Sequence, residues 1–172
     1  MKAFTMKTCF YCLSIFLVSF SILSSAGCSD KSTEANDFIP VKPVVKVSNM
    51  NYSQDSFNDS FPDTVSLNNI ATAYSGNNYS EEVKKALNDY MRRQVRILGE
   101  DTEKFDRIIS LSGCSITGEY VLPTYAEKAK YKGQDAWIFQ ITYGLGNPSL
   151  GHFKCFVFGL ERLDTLDYIA CK

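Results

Sequence analysis

Few side chains in this sequence have the chemistry to act, and they are spread along it. His152 is the single histidine. It can serve as a general base, a metal ligand or a pH sensor, but metal and nucleophile sites need further partners, and its sequence neighbours are Gly151 and Phe153. Glu161, Asp164 and Asp167 gather around the last predicted turn. A carboxylate pair can do acid–base work, and a larger oxygen set can hold calcium; three carboxylates at a hairpin tip fit a solvated turn better. No H-E-x-x-H, P-loop or G-x-S-x-G stands in the chain. Gly144-Leu145-Gly146 leads into a proline-containing loop and not into a helix, which excludes a dinucleotide fingerprint. The sequence therefore predicts no catalytic set, no cofactor and no metal centre.

Charge offers a second kind of candidate. Lys84, Lys85, Arg92, Arg93 and Arg96 make the polar side of one predicted helix basic, and Lys128, Lys130 and Lys132 form a second stripe. Together they are a possible basic patch for anionic lipid, an acidic glycan or an acidic protein. Each has a plainer reading. Glu81–Lys85 and Asp89–Arg93 are favourable i,i+4 pairs on a solvated helix face, and lysines on an edge strand block unwanted pairing.

Helices have to position the first group and strands the second. Leu67, Ile70, Ala71 and Tyr74 recur at helical spacing behind Asp63 as N-cap. Ser80 caps a longer helix, with Glu81 and Glu82 in the turn where the helix dipole favours negative charge. Val83, Leu87, Met91 and Val95 line its apolar face up to Gly99. A shorter helix from Thr102 presents Phe105, Ile108 and Ile109 and stops at Gly113. After Cys114 the period becomes two. Residues 119–122 read as a strand ended by Pro123; Tyr125, Glu127, Ala129 and Tyr131 then alternate with the lysines up to a turn at Gly133. Trp137, Phe139, Ile141 and Tyr143 mark a further strand, and 152–161 with 165–171 a final hairpin. Helices first and an antiparallel meander second predict an α+β fold with the N-terminal helices packed on one sheet face. That element order resembles the cystatin-like or NTF2-like small domains, a resemblance that implies a fold and no function.

The chain divides into 1–27 as a removable leader, 28–62 as an anchor and tether, and 63–172 as one α+β domain. Hydrophobic content of 45% supplies a core for one domain of this length. Ser, Asn, Asp, Thr and Pro dominate 29–62, and Pro40 and Pro43 break any helix there. The β-branched run 39–47 is the exception, able to dock as an extended segment on a sheet edge. In the leader, Lys2 and Lys7 precede an apolar stretch of signal-peptide length over 10–23. A C-x-x-C at Cys9 and Cys12 falls inside it and is set aside as leader sequence. Leu23-Ser24-Ser25-Ala26-Gly27-Cys28 resembles the lipobox of bacterial lipoproteins, with small residues directly before the cysteine. The resemblance implies cleavage before Cys28, acylation of its thiol and retention on a membrane. Ser29 in place of Asp goes, in Gram-negative lipoproteins, with the outer membrane.

The expected location is thus the bacterial cell envelope, lipid-anchored, facing the periplasm or the cell surface. All 19 acidic residues follow Cys28, and the whole chain has a formal charge of −1; this mild acidity gives no reason to expect nucleic acid. The expected partners are the membrane, through the lipid, and a protein or an envelope glycan. The expected function is a non-enzymatic binding module, with a small envelope hydrolase or transferase using a carboxylate pair as the alternative. An oxidising compartment favours a disulfide. A final hairpin turning on a three-residue loop at 162–164 sets Phe158 opposite Tyr168, Val157 opposite Ile169 and Cys155 opposite Cys171, which predicts a Cys155–Cys171 bond and leaves Cys114 as a buried thiol. A bond to Cys114 is the other possibility.

Overall fold

The computed structural model describes residues 39–171; the predicted leader, Cys28 and residues 29–38 of the tether lie outside the described residues. The chain forms β1 (Val44–Tyr52), α1 (Gln54–Ser60), α2 (Thr64–Tyr74), α3 (Glu81–Ile97), α4 (Thr102–Leu111), β2 (Val121–Tyr131), β3 (Gln134–Tyr143), β4 (His152–Gly159) and β5 (Thr165–Ala170). This is an α+β fold. The sheet is mixed, in the order β1-β2-β3-β4-β5. β1 runs parallel to β2, and the other three pairings are antiparallel. A parallel pair needs a crossover, and here the four α-helices of the described residues lie within it.

The folded unit therefore reaches well before residue 63, which corrects the predicted tether of 28–62. The run 39–47 does dock on the sheet: Val44 pairs with Tyr125 and Val47 with Lys128. Ile39 is 1% exposed in a cluster with Ile70, Tyr74, Val83, Leu87 and Leu122. Composition hid α1 because polar residues surround its two anchors, Phe57 and Phe61. Ser53 caps it and Ser56 closes a capping box.

Helices cover both sheet faces, not one as the element order suggested. On one face Met91 and Val95 of α3 and Phe105, Ile108 and Ile109 of α4 pack against Trp137, Phe139 and Phe158. Phe105 meets Trp137 edge-on at 5.0 Å between centroids. On the other face Phe57 and Phe61 pack against Tyr125, Tyr131, Ile138 and Val157. Trp137 and Ile138 are neighbours on β3 and point into opposite layers, as the pleat requires. The second layer is the more polar one. Gln140, buried there, accepts from Asp63 N at 2.7 Å and donates to Thr124 Oγ1 at 2.9 Å, tying the start of α2 to the sheet.

Pro123 does not end a strand. β2 continues through it with a bulge between Pro123 and Tyr125, where the register against β3 shifts. The missing N–H is harmless there because β1 pairing begins only at Tyr125. The bulge also inverts which residues face which layer.

The final hairpin differs from expectation by two residues. The connection spans 160–164 and Leu163 adopts a left-handed φ of 55°. Phe156 faces Tyr168 and Cys155 faces Ile169. Cys114, Cys155 and Cys171 are all free thiols, which corrects the predicted Cys155–Cys171 disulfide: the shifted register places Ile169, not Cys171, opposite Cys155.

Candidate ligand cleft and a thiol–imidazole pair

The basic side of α3 is largely satisfied from within. Lys84 is only 3% exposed; its Nζ donates to the carbonyls of Ile116 and Glu119, the latter at 2.9 Å, and lies 3.6 Å from Glu81. It holds the connection between α4 and β2 against α3. Lys85 pairs with Asp89 at 2.6 Å, and Arg92 bridges Asp89 and Asp106. Partial burial works against ionisation of Asp89, but the Lys85 and Arg92 hydrogen bonds and charges prevail and hold its carboxyl below its ordinary 3.8. Lys84, Lys85, Arg92, Asn88 and Cys114 contribute to the lining of a pocket of about 330 Å³. Asn88 Nδ2 donates to Cys114 O at 3.2 Å, while its Oδ1 is buried without a partner. Arg93 and Arg96 form no ion pair among the described residues.

The second stripe disperses. β2 is an interior strand, so the edge-strand reading of its lysines is corrected. Lys128 pairs with Glu100 at 2.6 Å. Lys132 lies in the β2–β3 turn with a left-handed φ of 49°, its Nζ 4.9 Å from the Tyr131 ring centroid. Lys130 is exposed and opens into a cleft of about 760 Å³ at the ends of the two hairpins.

Three segments build that cleft: the first turn of α4, the β2–β3 turn and the connection from β4 to β5. The last two are tied by Leu160 N donating to Asp135 O at 3.0 Å. Lys104, Lys130 and Arg162 face it together with Asp135, Glu161 and Asp164. Among the described residues none of these six forms an ion pair. The expected acidic cluster is thereby divided. Glu161 and Asp164 line the cleft, while Asp167 accepts the hydroxyl of buried Tyr131. Lys104, Asp135 and Arg162 had no signal in the sequence, since each stands alone in its segment and topology alone converges them.

His152 acquires a partner that its sequence neighbours concealed. Cys171 Sγ lies 3.3 Å from His152 Nδ1. Phe153 N–H donates to the same sulfur at 3.2 Å, and the Tyr143 hydroxyl is 3.9 Å from it. The two-residue shift of the hairpin makes this arrangement, by placing Cys171 beside Phe153 instead of Cys155. Glu127, another buried group, accepts from Tyr125 at 2.5 Å and Tyr52 at 3.3 Å, with Lys46 at 3.5 Å. Burial and then Glu127 push the Tyr52 phenol up to about 12 and the Tyr125 phenol higher still.

Among the described residues no group of three His, Cys, Asp or Glu side chains is placed to hold a metal ion, and no helix is long and apolar enough to cross a membrane. The chain matches no known family, no curated protein and no solved structure.

Proposed function

We propose that the protein is a binding module of the bacterial envelope, anchored through Cys28, whose recognition site is the cleft at the hairpin ends. One observation carries the site: Lys104, Lys130 and Arg162 converge with Asp135, Glu161 and Asp164, and among the described residues none of the six forms an ion pair. A cleft of both signs suits a ligand that carries both carboxylates and amines. A peptide-bearing envelope glycan has that chemistry, its stem peptides supplying both groups, and charge complementarity would fix its orientation.

The anchor rests on the lipobox-like segment ending at Cys28. Labelled palmitate enters the wild-type protein and fails to enter Cys28→Ser; equal labelling of both overturns the anchor. For the site, the protein co-sediments with purified peptidoglycan sacculi, and Lys130→Ala with Arg162→Ala abolishes the effect. Equal sedimentation of wild type and variant overturns the site.

The same lining supports a second reading. Asp135, Glu161 and Asp164 are the carboxylates an envelope hydrolase or transferase would use from this cleft. Release of soluble fragments from sacculi by the wild type, lost in Glu161→Gln, selects that reading over simple binding.

A further inference from the structure

The three thiols of the described chain have different surroundings. Cys114 and Cys155 are fully buried. Burial pushes the Cys114 thiol up to about 12 and the Cys155 thiol well above its ordinary 9.0, so both stay protonated and inert. Cys171 is only partly buried. Its sulfur has an imidazole nitrogen at 3.3 Å and a backbone N–H donor at 3.2 Å. The His152 ring is held against the Tyr143 ring, with centroids 5.4 Å apart, and Lys154 Nζ lies 5.1 Å from the Tyr143 centroid. A base within hydrogen-bond reach of a thiol, with donors aimed at the sulfur, is the arrangement that forms and holds a thiolate.

We propose that Cys171 is an exchange-competent thiol, with His152 as its base, that captures a disulfide-bearing partner as a mixed disulfide. The Cys171 proton passes to His152 Nδ1. The thiolate attacks one sulfur of the partner's disulfide. A new S–S bond forms to Cys171 Sγ as the partner's S–S bond breaks, and the departing thiolate takes the proton back from the imidazolium. The Cys171 sulfur is oxidised and the departing sulfur reduced, so electrons and protons balance. Among the described residues no second thiol is placed to resolve the product: Cys155 is buried opposite Ile169, and Cys114 belongs to the core layer under α3 and α4. Release of the partner then falls to a thiol other than these, such as the one its own disulfide set free.

Glutathione disulfide is the probe. The full-length protein in detergent is incubated with it, alkylated and mapped without reduction, so that each cysteine is read separately. The expected result is glutathione on Cys171, with Cys114 and Cys155 unmodified. His152→Ala slows the reaction roughly tenfold or more near neutral pH and moves the rise of its pH–rate profile to higher pH, the signature of a lost base. His152→Gln, which fills the space with a polar group that cannot act as a base, behaves the same way and covers the case in which the alanine variant does not fold. Modification of Cys114 or Cys155 at a comparable rate in folded protein overturns the proposal, as does wild-type reactivity in folded His152→Gln.

Discussion

The basic side of α3 and the cleft at the hairpin ends carry similar charged residues in opposite conditions. On α3, Lys84 is sunk among carbonyl oxygens, Lys85 is held by Asp89, and Arg92 bridges two aspartates. In the cleft, Lys104, Lys130 and Arg162 stand beside three carboxylates without pairing with them. A dense run of charge in a sequence is thus a poor guide to a site, because helical spacing lets such residues satisfy one another. The six charges of the cleft arrive from separate segments and form no ion pair among the described residues, so they keep their capacity for a ligand.

The largest effect belongs to Lys84. Lys84→Ala leaves two carbonyl groups without their donor, and urea unfolding shows a loss of about 2–4 kcal/mol. Binding at the cleft is retained under native conditions. A loss below about 0.5 kcal/mol, the range of ordinary surface substitutions, means that Lys84 is not structural.

The ion pairs of Asp89 respond to pH. Its carboxyl is lowered in the folded protein, so its stabilising contribution is present above its ordinary value of 3.8 and is lost as pH falls through the lower folded value. The group is one-third exposed, so solvent screens the pairs and the effect is modest. Asp89→Asn costs roughly 0.5–1 kcal/mol at neutral pH, and the difference from wild type closes in unfolding curves as pH falls through that lowered value. A difference that persists undiminished in acid rules out the ion pairs as its source.

The smallest stability effect belongs to the cleft. Lys130→Ala with Arg162→Ala changes unfolding free energy by no more than about 0.5 kcal/mol, because among the described residues neither side chain has an ion-pair partner to lose. A substantial loss of stability shows instead that these residues support the hairpin ends.

α2, α3 and α4 were legible because their signals are local, whereas α1 was hidden among polar residues. Asp63, Ser80 and Asp101 all cap as side chains of their type do, and Phe105, Ile108 and Ile109 mark the buried side of α4. β1 was half legible: its β-branched run is visible, but a parallel partner some eighty positions away leaves no local trace. The hairpin register failed for a specific reason. A shift of one residue exchanges the faces of a strand, whereas a shift of two restores them, so alternation excludes odd errors and is blind to even ones. The five-residue connection at 160–164, with Leu163 left-handed, supplied the missing shift. That single error produced the unrealised Cys155–Cys171 disulfide and hid the contact between Cys171 and His152. The cleft was illegible because Lys104, Asp135 and Arg162 meet only through the sheet order.

The most direct measurement compares two double variants by isothermal titration with a soluble disaccharide–peptide fragment of peptidoglycan. Lys130→Ala with Arg162→Ala weakens binding by about tenfold or more, the equivalent of roughly 1.4 kcal/mol, whereas Lys85→Ala with Arg92→Ala binds as the wild type does. Loss of binding in the helix variant, with the cleft variant unaffected, contradicts recognition at the cleft.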